Sequence, residues 1–505
     1  MQNAFNTIHF ETLGCKLNQI ETESAVHFFS EALYSCTTRT VLAKQKPDNS
    51  TILCIINTCT VTSKAEQKCR RVIRLLLKKY PCAAILVTGC YAQLDAKILS
   101  NIDKRIAILG GQSKAKIAHL PVQIATWYKN KELVPGDSLA LASKMHFLFA
   151  NTAQQAFGKT INAPASSAPL PSIKQTIDPF VFSTNTFMNH SRSSIKIQDG
   201  CNNTCSFCRI CFARGPSVSL EAEIVLDRIQ NLEKAHHKEV VITGVNLSQY
   251  AVSIPKNCKT LSTNHDYFDF AQLLEFLIKN TNDIRFRISS LYPERIDDDM
   301  CSVLAHERVQ PHFHLSVQSG SNAILHSMHR PYKAEHIIKA VKKLRIIKQN
   351  PFIACDIITG FPGETASDFE KTVHMCKTCN FAWIHAFPFS ARPGTKAYTM
   401  KNQIPHHIAK ERVALLTSLA KKNKKEYVKT CIGKTFYAIV EKRESHDLRV
   451  VTENFLHLFV LIPENKKTKH NCKTLGGTQV LIKVHSKVPD KKEISEIDGY
   501  CTIIL

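Results

Sequence analysis

Cys201-Asn202-Asn203-Thr204-Cys205-Ser206-Phe207-Cys208 sets three thiols in a C-x3-C-x2-C spacing. Three thiolates so spaced can hold three irons of a cubic iron-sulfur cluster and leave the fourth with an open position, where a ligand can react. The rival reading is a structural zinc knot with Cys211 as fourth ligand. Such knots usually pair one short-spaced knuckle with a second, and none lies near this one in the sequence. Three further cysteines stand in similar phrases far apart, Gly14-Cys15-Lys16-Leu17-Asn18-Gln19, Asn57-Thr58-Cys59-Thr60-Val61-Thr62 and Thr88-Gly89-Cys90-Tyr91. Singly each reads as a buried thiol, but as a set just past successive strands they can share one metal centre.

The elements that must position these residues follow from apolar periodicity. Thr51 to Asn57 and Ala83 to Thr88 read as buried parallel strands. The helix between them, Ser63 to Lys79, carries Ala65, Cys69, Val72, Ile73, Leu76 and Leu77 on one face. The pattern predicts an N-terminal doubly wound α/β domain with Cys15, Cys59 and Cys90 at strand carboxyl ends. The Cys201 loop lies between a strand at Ser194 to Gln198 and a helix from about Val218. Later strands at Glu239 to Thr243, Arg285 to Ser289, Phe313 to Val317, Phe352 to Ile358 and Trp383 to Phe389 complete six, a partial (β/α)6 barrel. After a helix at Ala409 to Lys429, the runs Thr435 to Glu441, Leu448 to Thr452, His457 to Leu461 and Gln479 to Val484 predict a small closed β-barrel. The expected domains are 1–125, a linker-rich segment 126–190, the barrel 191–400, a basic helical connector 401–433 and the terminal barrel 434–505. Within the linker, Ala163-Pro164-Ala165-Ser166-Ser167-Ala168-Pro169 has too little apolar content to bury.

Lys and Arg number 66 against 42 Asp and Glu, leaving +24, a balance suited to a polyanionic partner. The connector is dense in lysine at Lys421, Lys422, Lys424 and Lys425, and the basic loop Asn465-Lys466-Lys467-Thr468-Lys469-His470 reads as a solvated charge run or, favoured by the net charge, as a phosphate contact. The first residues show no basic n-region followed by an apolar stretch, and no apolar run reaches the roughly 18 residues that span a bilayer. The expectation is a cytoplasmic, reducing environment without membrane attachment, despite nineteen cysteines.

The Cys201 loop and its flanks, Lys196-Ile197-Gln198-Asp199-Gly200 and Ala213-Arg214-Gly215, resemble the radical S-adenosylmethionine methylthiotransferases, and the phrases around Cys15, Cys59 and Cys90 resemble that family's N-terminal domain. The resemblance implies two 4Fe-4S clusters, on Cys201, Cys205 and Cys208 and on Cys15, Cys59 and Cys90. The first binds and cleaves S-adenosylmethionine, and the open corner of the second carries sulfur. It also implies cofactor contacts from Phe207, Gly244, Asn246 and Gln318, and a terminal RNA-binding TRAM-like barrel marked by Val451-Thr452-Glu453-Asn454-Phe455. The wording is most similar to the branch that adds a methylthio group to C2 of N6-threonylcarbamoyladenosine beside the tRNA anticodon. Isopentenyladenosine tRNA and a ribosomal-protein aspartate are the alternative substrates. The implied partners are a tRNA anticodon loop and an electron donor such as flavodoxin or ferredoxin. Arg209, Cys211 and Tyr292 depart from the family pattern. A reading of another class is an iron-sulfur redox-sensing RNA-binding protein, which accounts for charge and cysteines but not for the barrel.

Overall fold

The computed structural model describes residues 6–154, 179–182, 192–254, 267–441, 448–461, 476–485 and 497–504. The Ala163 to Ser172 stretch and the Asn465 to His470 loop lie outside them. The chain forms two compact units, Met1–Thr186 with Arg209–Gly215, and Phe187–Cys208 with Pro216–Leu505.

In the first unit five strands, β1 (Thr7–Thr12), β2 (Ser35–Thr37), β3 (Thr51–Thr58), β4 (Ala84–Gly89) and β5 (Ile106–Gly110), make a parallel sheet in the order β2-β1-β3-β4-β5. Every residue of β3 and β4 is buried, which is why both read as unbroken apolar runs. The doubly wound α/β fold expected from the sequence is present, and its strand order reverses between β1 and β3. Sheets of this kind bind ligands outside the carboxyl ends of the strands at that reversal. The helix Ser63–Lys79 has the expected bounds, and its first turn is capped by Thr62, whose hydroxyl accepts from Ala65 N at 3.1 Å.

The first unit continues past residue 125, where the sequence predicted a linker-rich segment. The helix Ser138–Gln154 buries Leu141, Ala142, Met145 and Phe149 in one core with Phe10, Phe29 and Leu86, and Phe182 joins them. Alanines make up part of that helix, so its apolar face stands out weakly from its flanks.

The second unit begins with β6 (Ser193–Lys196), β7 (Gln198–Asp199), β8 (Val218–Ser219), β9 (Glu239–Thr243), β10 (Ala251–Val252), β11 (Phe268–Asp269) and β12 (Arg285–Ile288). It continues with β13 (His312–Gln318), β14 (Phe352–Thr359) and β15 (Trp383–Pro388). Strands β6-β9-β12 and β13-β14-β15 form two parallel sheets, joined by bridges from Phe286 to Val309 and from Leu291 to Leu315, at the second of which Leu291 N donates to His314 O (2.8 Å) and Ser316 N to Leu291 O (3.0 Å). Together they make the expected six-stranded partial barrel. β7 pairs antiparallel with β8, so the helix expected from about Val218 starts only at Ala222, after that ribbon.

Beyond the helix His406–Cys431, β16 (Thr435–Val440), β17 (Arg449–Thr452), β18 (His457–Val460), β19 (Gln479–His485) and β20 (Gly499–Ile503) close a barrel in the order β16-β17-β18-β20-β19. The sequence predicted four of these strands; β20 closes the ring by pairing with both β18 and β19. The turn after β17 is fastened to the amino ends of the parallel strands. Arg287 grips Glu239 through Nε (2.7 Å) and Nη2 (2.9 Å) and donates to Glu453 O (3.0 Å) and Thr452 O (3.2 Å). Phe455 lies on His312 with ring centroids 4.1 Å apart. Among the described residues no helix is long and apolar enough to cross a membrane.

Candidate functional site

Cys15 follows β1 as the residue capping the helix Lys16–Glu31, Cys59 follows β3, and Cys90 follows β4. These loops converge. Burial pushes the Cys59 thiol up to about 12, and neighbouring Cys15 and Cys90 add to the rise. Gly14 has φ +109°, and a Cβ there would stand 2.7 Å from Cys59 Cβ and 3.0 Å from its Sγ. Only glycine lets the two strand ends approach so closely. Asn18 Nδ2 ties the same loops by donating to Leu13 O (2.8 Å) and Thr58 O (3.1 Å). Burial also raises the Cys90 thiol, opposed by the positive charges of Arg214 and Lys114.

The segment Arg209–Gly215 packs in this first unit. Arg209 Nη1 reaches Asp95 Oδ2 at 3.2 Å and Glu66 Oε1 at 3.5 Å, which gives a structural reason for arginine there. Cys211 sits on the short helix Ile210–Arg214, whereas Cys201, Cys205 and Cys208 belong to the second unit.

In the second unit the cysteine loop has no repeating structure of its own and is held by its neighbours. Ser206 N donates to Met328 O (3.2 Å), Ser206 Oγ to Ser327 O (2.8 Å) and Ala397 N to Ser206 O (2.7 Å). Phe207 is half-buried and packs with Ile324, Met328, Phe361 and Ala397, so its ring anchors the loop. Asp199 forms a buried ion pair with Lys196 (2.8 Å) and accepts from Gly200 N (2.8 Å). Gln198 sets the register of two loops at once: Nε2 donates to Gly200 O (2.8 Å) while Oε1 accepts from Asn246 N (2.8 Å). A Cβ at Gly244 would come within 2.9 Å of that Oε1.

Around the thiols, Asn246 Nδ2 stands 3.9 Å from Cys201 Sγ, and Arg330 Nη1 stands 3.3 Å from Cys205 Sγ and from Tyr292 Oη. Burial raises the Tyr292 phenol against the pull of Arg330. Burial alone would lower the Arg330 guanidinium, but Tyr332, Tyr292 and Cys205 hold it firmly charged. Gln318 ends β13 in the left-handed region at φ +68°, and the following turn is pinned by Gly320 N to Thr372 Oγ1 (3.0 Å) and Ser321 Oγ to Asp368 (2.7 Å). Arg330 was not singled out in the sequence, because a buried cation after a helix reads like a surface one. Its one signal is the adjoining Pro331-Tyr332, which marks a turn.

Among the described residues no three His, Cys, Asp or Glu side chains converge on a single ion. A polynuclear iron-sulfur cluster takes thiolate ligands that sit on different irons, so its ligands need not converge on one ion. Of the connector lysines, Lys421, Lys422 and Lys425 are exposed. Lys424 is instead tied to Asp498 at 2.6 Å and lies over the Trp383 ring.

A family described as "Radical SAM superfamily" matches residues 195–376, and one described as "Uncharacterized protein family UPF0004" matches residues 7–111. The chain is 42% identical, over 95% of its length and 98% of the relative's, to "Threonylcarbamoyladenosine tRNA methylthiotransferase MtaB" of Treponema pallidum (strain Nichols). It is 32% identical to the protein of the same name from Thermotoga maritima over 86% of each chain. A "tRNA-2-methylthio-N(6)-dimethylallyladenosine synthase" of Endomicrobium trichonymphae is 28% identical over 89% of this chain and 92% of its own.

Proposed function

Because the chain belongs to the radical S-adenosylmethionine methylthiotransferases, we propose that it adds a methylthio group to C2 of N6-threonylcarbamoyladenosine beside the anticodon of tRNA. The observation that carries this choice is the 42% identity to a relative named for that nucleoside, against 28% to one named for the dimethylallyl nucleoside. A hydrogen on an adenine carbon is not usefully acidic near neutral pH, so its removal calls for a radical. Cys201, Cys205 and Cys208 would hold a 4Fe-4S cluster that with S-adenosylmethionine would supply that radical, Cys15, Cys59 and Cys90 would hold a second that would supply sulfur, and a second S-adenosylmethionine would supply the methyl group.

The chain's residues supply position and charge. Arg330 places a cation on Cys205, Asn246 an amide donor near Cys201, and Gln198 keeps the loops that carry Cys201 and Asn246 in register. Gly244, Asn246 and Gln318 lie past or at the carboxyl ends of their strands, where a cofactor is met in folds of this kind. Phe207 holds the cysteine loop to the core beneath it. The modified nucleoside sits in a single-stranded loop and can be splayed into a pocket without breaking a duplex, while Lys421, Lys422, Lys425 and the terminal barrel meet phosphates.

The test is mass spectrometry of tRNA nucleosides from a strain lacking the gene and from the same strain complemented. The 2-methylthio form of the threonylcarbamoyl nucleoside should vanish and return. Loss of the 2-methylthio isopentenyl nucleoside instead would overturn the substrate assignment.

A further inference from the structure

Strands β13, β14 and β15 alternate between a buried face and an open one. Leu315, Cys355 and Ile384 are buried, and the Cys355 thiol meets Cys376 on the helix Ala366–Cys379. Their neighbours His314, Asp356 and His385 face the other way, as the two-residue period of a strand requires, and Phe387 shares that face. Phe387 is 46% exposed and the Asp356 side chain 33%. At its amino end the face is closed, because His312 is buried under Phe455, which leaves it open above that point, toward the end of β13 at Gln318. The inside of a parallel barrel is ordinarily filled by layers of branched apolar side chains. This wall carries a carboxylate and two imidazoles instead.

Their arrangement fixes which atoms donate and which accept. Asp356 and His385 stand opposite each other in register. His314 Nε2 lies 3.0 Å from Asp356 Oδ2, and its ring centroid 5.3 Å from that of His385. Trp383 Nε1 donates to His385 Nδ1 (3.3 Å). An indole N–H only donates, so Nδ1 accepts and a neutral His385 carries its proton on Nε2. Burial first, and then His314, hold the His385 ring below the ordinary histidine range, which favours that neutral form. The Phe387 ring is parallel to it within 7°, with centroids 6.5 Å apart.

We propose that this wall receives the threonylcarbamoyl arm of the substrate nucleoside and sets the choice of substrate: His385 Nε2 donates to the arm's carbonyl oxygen, and Asp356 accepts from its N–H or hydroxyl. This rests on the proposed function, which assigns that nucleoside. His314 beside Asp356 keeps the carboxylate from standing as a bare negative charge toward the arm's own carboxylate. Phe387 offers an apolar surface next to the donor for the arm's methyl group. An isopentenyl arm has no hydrogen-bonding atom, so it takes water from His385 and Asp356 and returns no partner. A site built to hydrogen-bond a polar group discriminates strongly against the analogue that lacks it.

The test uses the reconstituted full-length chain and two anticodon stem-loops that differ only in carrying N6-threonylcarbamoyladenosine or N6-isopentenyladenosine beside the anticodon. Dissociation constants come from fluorescence anisotropy, and the methylthio nucleoside formed with S-adenosylmethionine, dithionite and sulfide is quantified by mass spectrometry. His385→Phe keeps a ring on Phe387 and removes the donor, while Asp356→Asn keeps the shape and removes the charge. Each should weaken binding of the threonylcarbamoyl loop about tenfold, the order of one lost hydrogen bond, and change binding of the isopentenyl loop by no more than about twofold. His385→Gln, whose amide nitrogen stands in for Nε2, should recover most of the loss. Equal weakening of both loops would mean a structural role and would overturn the proposal. So would binding of the threonylcarbamoyl loop within about twofold of the parent in both His385→Phe and Asp356→Asn. A parent that methylthiolates only the isopentenyl loop brings down the proposed function and this inference with it; a parent that prefers the threonylcarbamoyl loop, with that preference intact in the variants, brings down the inference alone.

Discussion

Arg330 holds Nη1 3.3 Å from Cys205 Sγ while its guanidinium lies 4.6 Å from the centre of the Tyr292 ring and 5.1 Å from that of Tyr332. A fixed cation at that range stabilises added negative charge on anything the Cys205 sulfur binds. Tyr292, which departs from the family pattern, is thereby explained as one face of the aromatic clamp on Arg330.

Replacing Arg330 with Gln should leave iron content near that of the parent but lower reductive cleavage of S-adenosylmethionine about 10- to 100-fold, the usual range for a group that supports a metal ligand. Arg330→Lys should recover part of the rate, since it restores charge without the planar stack. The assay is 5′-deoxyadenosine formed per cluster with dithionite. Equal rates in parent and Arg330→Gln would remove Arg330 from the site.

Arg287→Met should detach the terminal barrel from the strands it rests on. The substitution leaves Glu239 buried without its bidentate partner and releases Thr452 O and Glu453 O, a loss on the order of 3 to 5 kcal/mol. Calorimetry should show a new, earlier unfolding transition, and limited proteolysis should cut near the end of the helix His406–Cys431. A single transition at the parent's temperature would contradict the assigned contact.

Acid should weaken the same junction in two steps. His312 is kept neutral, its value well below the ordinary histidine range because of burial first and then the charges of Arg287, His314, Arg192 and His457. The unfolded chain takes up that proton at about pH 6.5, so stability is full above that pH and falls as pH drops, by about 1.4 kcal/mol per pH unit. Burial alone would raise Glu239, but Arg287 outweighs it and holds the carboxyl down to about 2. Its contribution is present above the ordinary carboxylate range and disappears only as pH falls from about 4.5 toward 2. His312→Phe keeps a ring on Phe455 and should flatten urea midpoints between about pH 6.5 and 5 while leaving the lower step. An unchanged slope in that window would show that His312 does not titrate on unfolding.

Some of this was legible in the sequence and some was not. The helix Ser63–Lys79 and strands β3 and β4 declare themselves because burial on both sides leaves unbroken apolar runs. The place of Cys15, Cys59 and Cys90 just past strands follows from the same runs. The helix Ser138–Gln154 hid behind its alanines, and β20 behind the charged Asp490-Lys491-Lys492 before it. Arg330 could not be told from a surface cation, since what makes it part of a site is burial against Cys205 from a distant part of the chain. The two-loop register that Gln198 sets is not visible in its own phrase, because it depends on Asn246, far along the chain.

The division of labour between the two thiol sets can be read from two products in one reaction. Parent chain, Cys15→Ala/Cys59→Ala/Cys90→Ala and Cys201→Ala/Cys205→Ala/Cys208→Ala are incubated anaerobically with S-adenosylmethionine, dithionite, sulfide and tRNA carrying N6-threonylcarbamoyladenosine, and both 5′-deoxyadenosine and the 2-methylthio nucleoside are quantified. The first triple variant should keep about half the parent's iron and most of its 5′-deoxyadenosine yet make no methylthio product, and the second should make neither compound. Methylthio product at the parental rate from the first variant, or 5′-deoxyadenosine from the second, would contradict the assignment of sulfur supply to Cys15, Cys59 and Cys90 and of radical generation to Cys201, Cys205 and Cys208.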